Sequence, residues 1–92
     1  MRAENVANRQ LSELASLCLA YLAENPEDLM RFMNLAGYSP DGLRRAVGSQ
    51  ALDVGVVDYF AANEPLLVAL CNGASITAEH FMSVWRRANQ AE

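Results

Sequence analysis

The chain has 92 residues, 52% of them hydrophobic and 20% charged, with a formal net charge of −4. That length makes a single domain, residues 1–92, able to bury roughly 60–65% of its unfolded surface, and the modest charged fraction argues against intrinsic disorder. All seven basic residues are arginine, and the acidic balance weighs against nonspecific nucleic-acid binding, which depends on neutralising phosphates.

Hydrophobic spacing predicts a first helix from about Asn5 to Ala23, with Leu11, Leu14, Leu17, Cys18, Tyr21 and Leu22 on one apolar face. Leu19 lies off that face and is expected to touch a neighbouring helix or chain. Asn25 is a natural cap for a second helix. Pro26 suits its first position, where no amide donor is needed, and Glu27 and Asp28 complement its dipole. Leu29, Phe32, Met33 and Ala36 form its buried stripe, and Gly37 supplies a left-handed stop. A short third helix runs from about Pro40 to Val47, with Leu43, Ala46 and Val47 inward and Gly48 ending it.

The fourth helix is expected from about Gln50 to Ala62. Leu52, Val56, Tyr59 and Phe60 make its core face, and Asp53 and Asp58 stay in water. Gly55 inside it suggests close approach by another helix, because glycine costs roughly 1 kcal/mol against alanine there. A fifth helix, about Glu64 to Asn72, reads PLLVALC and is apolar all round, so it is expected to be the central element of the core, with Gly73 ending it. Thr77 caps a sixth helix in which Phe81, Val84, Trp85 and Ala88 recur on one face.

These elements echo one another at 38 positions. Tyr21, Ala23, Asn25, Leu29, Asn34 and Ala36 fall on Tyr59, Ala61, Asn63, Leu67, Asn72 and Ala74. Tyr38-Ser39-Pro40-Asp41-Gly42-Leu43 falls on Ile76-Thr77-Ala78-Glu79-His80-Phe81. Both read as an apolar residue, a hydroxyl cap, an acid in the first turn and a second apolar residue, the pattern of a capped and stapled helix start. Pro26 meets Pro65 only with a slip of one, and Gly37 meets Gly73 with a slip of two. The expectation is an all-α, compact bundle of five to six short helices, made of two similar three-helix units in tandem, about residues 11–48 and 49–89.

Chemistry-bearing residues are sparse. His80 is the only histidine, and no second histidine or cysteine stands at ligand spacing to it, so it is expected to sit in a capping turn rather than on a metal. Cys18 and Cys71 lie in apolar helical stretches and form no CxxC pair, so both are expected to be buried free thiols in a reducing cytoplasm. Carboxylates gather at Glu24, Glu27, Asp28 and Glu64. If the two units pack about a pseudo-twofold axis, the starts of the second and fifth helices come together, although acids at helix starts ordinarily serve the dipole. No nucleophile elbow, phosphate-cradling loop or Cys/His pair occurs, and no catalytic residue or cofactor is assigned. The N-terminal MRAENVANRQ lacks the apolar core of a signal peptide, and no apolar run is long enough to cross a bilayer.

Two binding readings remain. Residues 26–47 have the order of a helix-turn-helix, with Arg44 and Arg45 as candidate DNA contacts. Asp41 at the start of the would-be recognition helix, the shortness of that helix and the acidic chain all oppose it. Alternatively, paired helices form grooves that accept an amphipathic partner helix, and Met30, Met33 and Met82 are candidates for an adaptable lining.

The pattern resembles a family of short all-helical alphaproteobacterial proteins classed as a domain of unknown function. The resemblance lies in Ala20-Tyr21-Leu22-Ala23-Glu24-Asn25-Pro26-Glu27, in Gly37 with Pro40-Asp41-Gly42-Leu43-Arg44, in Val57-Asp58-Tyr59-Phe60 and in Asn63-Glu64-Pro65-Leu66-Leu67. It implies a helical fold and a bacterial cytoplasm, and it transfers no catalytic residue. The functional expectation is a non-enzymatic protein–protein interaction module with an unknown protein partner or a homo-oligomeric state. The alternative is a small DNA-binding regulator.

Overall fold

Proline, glycine and hydroxyl residues divide the chain into six helices in the computed structural model, which describes residues 3–90 and the side chains of 9–89. They are α1 (Ala3–Glu24), α2 (Pro26–Ala36), α3 (Pro40–Ala46), α4 (Gln50–Ala61), α5 (Glu64–Ala74) and α6 (Ala78–Gln90), with no strand among the described residues. The architecture is an all-α bundle.

The boundaries follow local chemistry. Ser39, Ser49 and Thr77 accept from the amides of Gly42, Leu52 and His80 at 3.0, 3.2 and 2.9 Å, each satisfying a free donor of the first turn. Asn63 Oδ1 accepts from Leu66 N at 3.4 Å. Asn25 stands in the same place before α2, but its side chain turns back and Nδ2 donates to the Tyr21 carbonyl at 2.8 Å. It closes α1 instead of capping α2.

Some helix boundaries fall 38 positions apart, whereas the starts of α1 and α4 and the ends of α3 and α6 do not. The helix spans 26–36 and 64–74 correspond, and α3 and α6 begin at Pro40 and Ala78. At the ends of α2 and α5 the residues Gly37 (φ 81°) and Ser75 (φ 60°) are left-handed. The amides of Gly37 and Tyr38 donate to Met33 O, and those of Ser75 and Ile76 donate to Cys71 O. The expected stop at Gly73 is therefore displaced to Ser75, because the hydrogen-bonded closure, not the glycine, marks the end. Packing does not recur: α3 buries no residue, whereas Phe81 and Val84 of α6 are fully enclosed.

The core is built on α1. It packs most extensively on α4 and also touches α2, α5 and α6. Leu11, Leu14, Ala15, Cys18 and Leu22 meet Leu52, Val56, Val57 and Phe60 in one cluster that Phe32, Leu66, Leu67, Leu70, Cys71, Phe81 and Val84 complete. The expectation that α5 is central is corrected. Val68 is 46% exposed, so α5 buries one face only, and the centre belongs to α1 and α4.

Several other side chains lie elsewhere than their spacing predicts. Ala36 and Val47 are exposed, since α3 swings away from the core. Val57 replaces Tyr59 among the fully buried residues of α4. Gly55 faces open space, with nothing within 4 Å of an added Cβ, so no helix approaches it closely. Asp53 is half-buried, and burial raises its pKa. Asp58 does stay exposed and accepts from Trp85 Nε1 at 2.6 Å, tying α6 to α4.

An aromatic chain fixes the α2–α3 hairpin to this core. Phe32 lies 5.2 Å from Tyr59 and 6.2 Å from Tyr38 between ring centroids, and Phe60 meets Tyr21 edge-on at 5.9 Å. Among the described residues no single helix is long and apolar enough to cross a membrane. The two most apolar helices, α4 and α5, are bent by 106° at their junction.

Burial sorts the residues by energetic weight. Phe60→Ala is expected to lower unfolding free energy by about 3–5 kcal/mol, whereas Val47→Ala should change it by no more than about 0.5 kcal/mol. Ser75→Gly should raise it by about 0.5–1 kcal/mol, because only glycine adopts a left-handed stop without strain. Urea unfolding followed by Trp85 fluorescence measures all three.

Candidate functional site

Two helix ridges stand side by side without a third helix between them. On α1 the ridge is Leu17, Ala20, Tyr21 and Glu24; on α5 it is Leu66, Ala69, Leu70 and Gly73. Each has the i, i+3, i+4, i+7 spacing of one helix face. Between the last turns of α1 and α5 they enclose a depression of about 200 Å³. A second one, of about 290 Å³, adjoins it at Tyr21 and reaches the starts of α2 and α5.

The surface grades from apolar to acidic. Leu66 and Leu70 are buried and form the floor, Leu17 and Tyr21 are half-buried, and Ala20 and Gly73 are exposed on the rims. Glu24 closes one end and also borders a hollow lined by Asn25, Pro26, Glu27 and Asp28. Arg31 ion-pairs with Asp28 at 2.8 Å and reaches Glu27 at 4.0 Å. Glu24 has no cation within 4.0 Å among the described residues.

Gly73 is informative here. It lies in the last turn of α5, next to the final helical residue Ala74, with an ordinary helical backbone. An added Cβ would meet nothing within 4 Å, so neither internal packing nor backbone geometry asks for glycine. Sequence reasoning took it for a helix stop and missed the groove, whose only sequence signal is small residues at helical spacing next to large ones.

The carboxylates singled out from the sequence are partly brought together. The starts of α2 and α5 do share a groove, lined by Asp28, Asn63 and Pro65, but the group beside Asp28 is the Arg31 guanidinium and not a second carboxyl. Glu64 does not line it. His80 is exposed on α6, and its backbone amide is the donor to Thr77 Oγ1. Among the described residues no three His, Cys, Asp or Glu side chains converge in a metal-holding group.

Residues 26–47 do form helix, left-handed turn and helix. The second helix is only seven residues long, and Arg44 is held by Asp41 at 2.7 Å. Arg45 is exposed with no carboxylate within 4.0 Å among the described residues. That leaves one uncommitted guanidinium on a helix whose start carries an acid, where a recognition helix ordinarily contacts bases. Met33 and Met82 are half-buried, and Met30 is 64% exposed; none of the three lines the α1–α5 groove.

A family model described as a protein of unknown function (DUF3572) matches residues 2–90. The chain belongs to that family. The family's description assigns no activity, so membership adds no reaction. No match was found among curated proteins or among solved structures.

Cys18 and Cys71 sit in the core beneath the groove walls, one helical step from Tyr21 and Ala74. Burial drives the Cys18 thiol well above its ordinary pKa, with the neighbouring Cys71 adding to the rise, and burial raises Cys71 as well. Both thiols therefore stay protonated. Unfolded thiols titrate near a pKa of about 8.5, so the stability held by these protonated groups is complete below that pH and is lost as pH rises above it. The thermal midpoint is expected to hold from pH 6 to 8 and to fall above about pH 9, with a shallower fall in Cys18→Ala. Native-state alkylation at pH 8 should be on the order of 1,000-fold slower than in denaturant, as followed by mass spectrometry.

Proposed function

We propose that this protein is a non-enzymatic protein–protein interaction module whose docking surface is the groove between α1 and α5. The observation that carries this reading is the pair of facing ridges at 17, 20, 21, 24 and 66, 69, 70, 73, which leave an apolar floor uncovered between two helices. A helical partner segment buries its apolar face in such a groove through residues spaced i, i+3, i+4 and i+7. The small residues Ala20, Ala69 and Gly73 on the walls let its backbone come close.

The setting that suits this reading is a bacterial cytoplasm, in keeping with two unpaired core thiols and with the alphaproteobacterial resemblance. Family membership supports a domain that acts as a whole, since the match spans nearly all of it.

Filling the groove tests the proposal. Ala20 is exposed, so Ala20→Trp should leave the thermal midpoint within about 2 °C, a surface-substitution effect. Affinity purification from native lysate, run with and without nuclease, should recover a partner with the wild type under both conditions and lose it with Ala20→Trp. Equal recovery by both variants contradicts the groove. Recovery of nucleic acid that nuclease removes would favour Arg44 and Arg45 instead.

A further inference from the structure

The groove has a charge character as well as a shape. Glu24 stands at its end without a cation, and the adjoining lip holds Glu27 and Asp28 against a single guanidinium, Arg31. The last turns of both α1 and α5 line the groove, and neither carries a basic residue. A helix's C-terminal end carries about half a negative charge in its final carbonyls. Two such ends and the unpaired Glu24 carboxylate therefore meet over an apolar floor, and the cation at the adjoining depression, Arg31, is already held by Asp28.

Resting on the interaction-module reading, we propose that the occupant is a basic amphipathic helix of a protein partner. Its apolar side chain seats on Leu17, Tyr21 and Leu70, and its arginine or lysine reaches Glu24. Close approach is the second requirement, and Gly73 meets it. This glycine has open space around it and presents no side chain, and it stands on the rim where an incoming helix would pass. Charge complementarity also sets the spacing of cation and anchor. A cation three or four positions from the apolar anchor lies over Glu24 when that anchor is over Tyr21, because these two are three residues apart on α1.

The test is selection of helical 14-residue peptides from a displayed random library. The baits are the wild type, Glu24→Lys, Gly73→Leu and, as a control outside the groove, Glu13→Lys, with thermal midpoints confirming that all four are folded. Wild type and Glu13→Lys should enrich sequences that place Arg or Lys three or four positions from Leu, Phe or Met. The enriched peptides should bind Glu24→Lys and Gly73→Leu at least 10-fold more weakly, and binding should weaken as salt rises. Enrichment of neutral or acidic peptides that Gly73→Leu blocks would overturn the basic partner while leaving the interaction module standing. No enrichment on any folded bait would overturn both. A dimer that Ala20→Trp dissociates in sedimentation would replace the basic partner by a second copy of this chain.

Discussion

The interface of α1 with α4 is the constraint on which the rest depends. Four residues of α1 within about two turns, Leu14, Ala15, Cys18 and Leu22, lie against a face of α4 that contributes Leu52, Val56, Val57 and Phe60. Every other helix with an extensive contact is placed by reference to this pair. Helix α6 spans both, tied to α4 by the Trp85–Asp58 hydrogen bond, and α2 reaches α4 through Phe32 and Tyr59. Because α4 and α5 meet at 106°, the chain leaves the α1–α4 plane and brings α5 beside the end of α1 without laying it along the whole of α1. The groove lies where the two ridges meet, between the last turns of α1 and α5, and no further segment of the described chain lines it there.

The local plan was legible in the sequence because it is written in residues with narrow conformational preferences. Pro26, Pro40, Ser39, Thr77 and Gly37 each place a helix boundary by their own chemistry, and the structure puts the boundaries within a residue or two of the expected ones. The apolar stripe of α1 was equally plain, since a long helix with one wet side shows its period over many turns. The helical class followed from both.

The arrangement was less legible. PLLVALC reads as buried all round, yet Val68 is exposed, because an apolar residue on a surface helix is a small liability that a single sequence does not distinguish from core. Asn25 and Asn63 occupy corresponding places, but only Asn63 caps forward. Asn25 instead bonds to the carbonyl end of the longer α1, a choice set by where α1 stops and not by the residue. The groove was hidden for a similar reason. Its walls come from segments about 50 positions apart, and Gly73 read as a stop because the stop at Ser75 is made by a residue that seldom adopts a left-handed backbone.

Occupancy of the groove between α1 and α5 by a partner decides the proposed function. The direct measurement is photo-crosslinking in the native host with a benzophenone amino acid placed at position 20, on the groove rim, or at position 51, exposed on α4 away from it. The groove account predicts a discrete covalent adduct from position 20 and none from position 51. Adducts of equal yield from both positions, or none from position 20 while the protein is folded and expressed, would contradict it.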